Sequence, residues 1–252
     1  MSRTLSQKTI ARINADINGV KSDDIQKMGI HYVFDEVDIT NGWALIFGPD
    51  DTPYEGGSYI FKVKFPDNYP FSPPEFKSLV QDTVTRFNPN MYRDGKVCLS
   101  LLNTWHIGDK WSACQTLSTI LLSIKTSVLT ASPLTREPCK ENLGASEESL
   151  IYDRMILHAN LQTAVIGMIK NTPDFAVPFY DEISSYFMKK RERLVDLAVS
   201  MIEYDNVTEI MDFFRMKIMY RFSTLGDIIQ ELVPIGPFVN GGAGGGFKNS
   251  ID

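Results

Sequence analysis

The run Thr85 to Trp111 holds three features that bear on chemistry: Asn88-Pro89-Asn90, Asp94-Gly95 and Cys98. Asn-Pro-Asn and Asp-Gly form turns, because proline fixes φ and glycine accepts positive φ. Two turns in so short a stretch make an irregular backbone, which usually lies at the surface. A cysteine there presents its thiol to solvent and partners, so Cys98 is a candidate nucleophile; a core cysteine is inert. Asn90 lies eight residues before it. Its amide either donates to a developing oxyanion or bonds neighbouring backbone and holds the loop. Spacing alone leaves another reading open, a buried cysteine beside an ordinary turn.

Composition bounds what surrounds that stretch. The 252 residues are 43% hydrophobic and 22% charged, which suits one globular domain with an extension, or two small ones. A net charge of −6 argues against a globally basic, nucleic-acid-binding surface. The three cysteines, Cys98, Cys114 and Cys139, are odd in number and form no CxxC pair. They read as free thiols of a reducing compartment, not as a disulfide frame or zinc site. The opening MSRTLSQKTI lacks a secretory apolar run, and no apolar stretch is long enough to span a bilayer. The expectation is a soluble protein of the cytosol or nucleus, with no membrane or nucleic-acid partner.

The elements that position the chemistry are read from periodicity. Leu5 to Val20 is an amphipathic helix, with Ile10, Ile13, Ile17 and Val20 at helical spacing. Alternation at Ile30/Tyr32/Phe34, Trp43/Leu45/Phe47 and Tyr59/Phe61/Val63/Phe65 predicts antiparallel strands, and Glu75 to Val80 a short fourth. Asn41-Gly42 is a candidate tight hairpin turn. Three prolines keep Tyr69 to Pro74 out of any central strand, so it is expected as a rigid loop exposing Phe71. Helices are predicted over Ala113 to Leu129, Ser146 to Asn171 and Pro178 to Tyr204. The last carries Lys189-Lys190-Arg191-Glu192-Arg193, either a solvated face or a patch for an acidic partner. Val207 to Phe222 and Leu225 to Val233 also read as helical. Their Met, Ile and Phe content requires them to fold back on the core or pair with another chain. The tail from Gly236 to Asp252 is Gly-rich and expected to be flexible. It is no phosphate loop, since no strand precedes it and no Gly-Lys-Ser/Thr follows.

The active stretch resembles that of ubiquitin-conjugating (E2) enzymes, and most closely the E2 domains of the giant hybrid E2/E3 enzymes. The family signature is His-Pro-Asn, a Gly in the next turn, then the catalytic Cys and apolar residues. Pro89, Asn90, Gly95, Cys98, Leu99, Leu101 and Leu102 match it. So do Tyr54-Glu55-Gly56-Gly57, the run from Phe65 to Pro74, Lys110-Trp111-Ser112, and Leu121-Leu122-Ser123-Ile124. The resemblance implies an α+β UBC fold. A four-stranded antiparallel meander is flanked by an N-terminal, a central and C-terminal helices, with a helical C-terminal extension beyond. The expected organisation is a catalytic core over 1–172, the extension over 173–235 and the tail over 236–252.

The same resemblance implies a mechanism. Cys98 takes ubiquitin or a ubiquitin-like protein from an activating enzyme (E1) as a thioester and passes it to a lysine amine of a substrate or of another ubiquitin. No cofactor is implied, because ATP is consumed by the E1. A ligase (E3) is a further family partner. Asn90 is the implied oxyanion or loop residue, and Glu137 the candidate for positioning the acceptor lysine. Arg3, Lys8 and Arg12 on the first helix, Phe71, and Ser112 with Ala113 are the implied partner-binding residues. Asn88 stands where the family has His, and Ala113 where relatives usually carry Pro. Trp111 follows Cys98 by thirteen residues, farther than in most of the family. The extra residues within Asn103 to Asp109 form either a wall beside the nucleophile or a tolerated insertion. Two other classes stay open: a catalytically silent E2-like ubiquitin-binding scaffold, and a cysteine hydrolase using His31, His106 or His158 as base.

Overall fold

The computed structural model describes residues 5–105 and 108–236. Helix α1 (Gln7–Val20) begins where the Ser6 side chain accepts the Thr9 backbone N–H at 3.0 Å. It buries Ile13, Ile17 and Val20. A short α2 (Asp23–Lys27) leads into four strands. These are β1 (Ile30–Phe34), β2 (Asn41–Phe47), β3 (Ser58–Lys64) and β4 (Glu75–Ser78), in the order β1-β2-β3-β4, all antiparallel. The predicted meander is therefore present.

The first hairpin differs from expectation. Asn41 and Gly42 are strand residues, paired with Lys64 and Val63, and Gly42 also faces Phe34. The turn is made upstream by carboxylates. Asp35 accepts the Val37 N–H at 2.8 Å, and Asp38 accepts the Thr40 N–H at 3.0 Å. Such side-chain caps replace the glycine chemistry of a two-residue turn. Gly42 serves packing instead, since a Cβ there would collide with the Tyr32 ring.

The central helix starts at Leu117, the first residue of its apolar stripe, and not at Ala113 as predicted. Thr116 caps α3 (Leu117–Ser123), which runs on through a wider turn to Val128. Its Leu117, Ile120, Leu121 and Ile124 are all fully buried. The next helix runs from α4 (Glu147–Ala159) through a wide segment, Asn160–Ile166, into α5 (Gly167–Lys170). Helix α6 (Tyr180–Val199) follows.

Beyond α6 the chain is not all helix. Thr208–Met211 and Met216–Met219 are strands β5 and β6 of a two-stranded hairpin, and among the described residues there only Phe222–Glu231 is α-helical, as α7, beside short 3-10 turns at Ile202–Tyr204 and Asp212–Phe214. Alternating burial of Met216, Ile218 and Tyr220 explains the hairpin: one of its faces lies on the core. The extension thus folds back on its own chain. The basic run in α6 does the same. Lys190 Nζ lies 2.7 Å from Asp50 and 3.6 Å from Glu55, and Arg193 lies 3.3 Å from both Asp51 and Glu55. The acidic surface that two of these cations meet is the chain's own β2–β3 connection. The Gly-rich tail and Arg3 fall outside the described residues, as does His106.

Candidate active site

The stretch 85–98 is fastened from below by Asn88. This side chain is fully buried and uses its hydrogen-bonding groups on both sides. Its Nδ2 donates to the Tyr54 hydroxyl and to the Val128 carbonyl, each at 2.8 Å, and its Oδ1 accepts the Asn90 backbone N–H at 2.8 Å. The residue at the family's His position is thus an amide that braces the loop, and its short reach suffices because the Val128 carbonyl lies within 2.8 Å. Tyr54 in turn donates to the Phe87 carbonyl at 2.7 Å, and burial pushes its phenol well above the ordinary range.

Asn90 is the next link. Its Nδ2 donates to the Cys98 carbonyl at 2.8 Å, while the Cys98 N–H donates to the Asn90 carbonyl at 2.8 Å. Of the two roles read from sequence, this geometry is that of a brace. Between these residues the chain makes a small hairpin, with a bridge between Met91 and Val97. Gly95 has φ of 89°, and a Cβ there would come within 2.7 Å of the Ser78 carbonyl, so only glycine fits. Arg86 clamps the outside. It donates to the Pro89 carbonyl at 2.6 Å and lies 3.6 Å from the centre of the Tyr92 ring.

Cys98 itself departs from expectation. The residue is only 2% exposed, not the open thiol of a surface loop. The hairpin on its N-terminal side and the segment after it both fold against it. Thr104 Oγ1 accepts the Leu99 N–H and reaches the Val97 carbonyl, both at 2.9 Å. The insertion is closed at its base, where Asn103 Oδ1 accepts the Trp111 N–H at 3.2 Å. Thr104 and Asn103 are thus site residues that motif reading missed. Their signal was present in the insertion, but their partners are set by how the loop closes.

Glu137 is half-buried, and its carboxyl is raised above the usual range by burial, partly offset by Arg86 and Lys140. It therefore lies on the Arg86 side of the stretch. Of the expected partner-binding residues, Arg12 and Ala113 lie together beside the 69–74 loop that carries Phe71. Phe71 is 81% exposed. Trp111 Nε1 donates to the Pro70 carbonyl at 2.7 Å. Arg12 donates to the Ala113 carbonyl at 2.8 Å and also to Gln115, and pairs with Asp16 at 3.1 Å. Its guanidinium is thus engaged within the chain, whereas Lys8 and Ser112 are exposed. Of the histidines available to a hydrolase, His158 is buried and accepts the Arg221 N–H, and His31 packs edge-on to Phe47. Both are held in other parts of the fold. Among the described residues no cluster of His, Cys, Asp and Glu is suited to a metal, and no helix is long and apolar enough to cross a membrane.

Comparison with known proteins agrees with this geometry. The family model described as ubiquitin-conjugating enzyme matches residues 12–149, more than half of the chain. Ubiquitin-conjugating enzyme E2 Z of Xenopus tropicalis is 42% identical over 66% of this chain and 52% of its own length. The dual E2 ubiquitin-conjugating enzyme/E3 ubiquitin-protein ligase BIRC6 of Homo sapiens is 40% identical over 60% of this chain and 3% of its own. The probable ubiquitin-conjugating enzyme protein 17 of Caenorhabditis elegans is 33% identical over 81% of this chain, a span reaching past residue 149. The chain spans about half the length of its E2 Z relatives. Among solved structures, the E2 domain of a Toxoplasma gondii ubiquitin conjugating enzyme gives a TM-score of 0.48 at 27% identity, covering 62% of this chain and 98% of that one. The chain belongs to the ubiquitin-conjugating enzyme family and has its UBC fold.

Proposed function

We propose that this chain is an E2 that carries ubiquitin, or a ubiquitin-like protein, as a thioester on Cys98. The Cys98 sulfur attacks the thioester carbonyl on the E1, and the E1 cysteine leaves as its thiol. A lysine amine then attacks the new carbonyl, an amide forms, and Cys98 leaves with its sulfur restored. The observation that carries this reading is the reciprocal bonding of Asn90 and Cys98, seated on the buried Asn88 amide. The thioester is already an activated acyl donor, so rigid positioning supplies most of what the transfer needs.

Cys98 is only 2% exposed as a residue, so little of its surface meets solvent before the E1 docks. The same burial favours the alternative, a silent ubiquitin-binding scaffold. The hybrid E2/E3 character is the finer part of the proposal: the braced insertion after Cys98 acts as a wall that orients lysine without a separate ligase. Glu137 positions that amine. Phe71, Lys8, Arg12, Ser112 and Ala113 belong to the surface that meets E1 and E3. Exposed Cys114 and Cys139 suit a reducing compartment such as cytosol or nucleus.

Incubation with E1, ATP and ubiquitin tests the reading. A thiol-reducible adduct, lost in Cys98→Ala, is expected. Binding of ubiquitin with no adduct, for any modifier tried, establishes the scaffold instead.

A further inference from the structure

Arg93 sits at the tip of the Asn90–Cys98 hairpin, and the β5–β6 turn of the extension reaches it. Arg93 donates to the Phe214 carbonyl at 2.6 Å and to the Arg215 carbonyl at 3.2 Å. The Arg86 guanidinium lies 5.3 Å from the Phe214 ring centre. Between these parts is a cavity of about 350 Å³ lined by Arg86, Tyr92, Arg93, Asp94, Phe213, Phe214 and Arg215. Three arginines therefore line it together with one acidic residue, Asp94. None of the three is within ion-pair distance of an acid among the described residues. Glu137 acts on Arg86 only at longer range, and Asp94 is occupied in capping the Lys96 N–H at 2.9 Å. Arg93 Nε is buried without a hydrogen-bond partner. Lys96, beside Tyr92, adds positive charge at the rim; Lys140, beside Phe213, is paired with Glu148 at 2.5 Å, and Glu147 and Asp212 lie on that same far side of Phe213.

We infer that this cavity, made jointly by the active-site hairpin and the C-terminal extension, binds an acidic side chain of the acceptor polypeptide and so selects lysines with a carboxylate nearby. The inference rests on the E2 reading above. Charge complementarity identifies the occupant: in a chain of net charge −6, a site with three unpaired arginines singles out anions. Planar guanidiniums favour carboxylates, which they bind in bidentate fashion. Two of the three are fixed in advance by bonds to backbone carbonyls, which lowers the ordering cost of binding. Arg93 is five positions before Cys98, so the cavity lies at most about 18 Å along the chain from that residue. An extended acceptor covers that distance in about five residues.

The test uses the full chain, charged with ubiquitin by E1 and then chased with lysine peptides. One peptide carries Asp or Glu within five residues of its lysine, and the other carries Asn or Gln at those places. Discharge to the acidic peptide is expected to be about three- to tenfold faster at low salt, with the ratio falling toward one as salt rises. Arg215→Asn suits the left-handed backbone there (φ 51°), so it removes a charge without straining the turn. It should lower the ratio by about half or more, and Arg93→Gln further. Normal charging in each variant shows that the protein is folded and the E2 reading intact. Equal rates for the two peptides on a normally charged parent overturn the inference, as does a preference that survives both substitutions. Failure to charge overturns the E2 reading itself.

Discussion

The loop brace gives the sharpest prediction. Asn88→Ala removes an amide that is fully buried and makes three hydrogen bonds of 2.8 Å. Tyr54 keeps its bond to Phe87, and the Val128 carbonyl keeps the Thr130 N–H, but the Asn90 N–H loses its partner. A buried polar group left unpaired costs about 1–3 kcal/mol. A water entering the vacated space would hold the loss near the lower figure. Against a typical total of about 5–15 kcal/mol that loss is measurable. For a chain of this size it lowers Tm by roughly 2–12 °C. Asn88→Asp keeps the shape but cannot donate to Val128, and sets a carboxylate against a carbonyl, so it should cost at least as much. Urea unfolding at constant m, with thermal melts alongside, measures both. Asn68→Ala is the control: its bond to Ser72 is exposed, and its effect should stay within about 0.5 kcal/mol. If Asn88→Ala and Asn88→Asp also stay within that margin, the loop is not held by this amide, and the argument that it replaces a histidine fails.

Three further outcomes follow from the same geometry. Asn90→Ala removes the donor to the Cys98 carbonyl; it should loosen the loop by about 1–3 kcal/mol and still charge but discharge more slowly in single-turnover chases, and parent-like melts with equal rates would show that this brace does not matter. In the free protein, a maleimide should label exposed Cys114 and Cys139 well before Cys98, as peptide mapping after partial labelling would show; labelling of Cys98 first would contradict its burial. Burial lowers the His158 imidazole to about 4 from 6.5, opposed by Asp205 and Asp82, so the folded state keeps it neutral where the unfolded chain takes up a proton. Its contribution is therefore present above about 6.5 and lost as pH falls toward 4, by about 3 kcal/mol. Asp153 has the opposite sense: raised to about 6 by burial, it favours the folded state as pH falls through the same range. The difference between parent and His158→Gln isolates the histidine, because Gln still accepts the Arg221 N–H; stability curves that run parallel between pH 6.5 and 4 would rule it out.

Much of this molecule was legible in the sequence by itself, and the reason is that the signals concerned are local. Alternation set out the β1–β4 meander, helical spacing set out α1, α3 and α4, and the Asn-Pro-Asn, Asp-Gly and Cys98 spacing marked the active stretch. A period of two or 3.6 reports which side of an element is dry, whatever the partner. Some local signals competed. In the extension, Met216, Ile218 and Tyr220 alternate as a strand should, but a composition rich in Met and Phe masks that pattern, and the hairpin reads as helix. Asn41-Gly42 has the chemistry of a turn, but Asp35 and Asp38 made one earlier. What only the tertiary structure decided are pairings between residues far apart in the chain. Asn88 is a brace because Val128 lies forty residues away and within reach. Lys190 and Arg193 find their acids in the 50–55 connection, and Arg93 meets the Phe214 carbonyl across 121 residues. Whether a thiol in a turn-rich stretch is open or covered also depends on which segments close around it. Cys98 has the local sequence of a surface nucleophile and the burial of a core residue, because the hairpin before it and the Thr104 loop after it fold inward together.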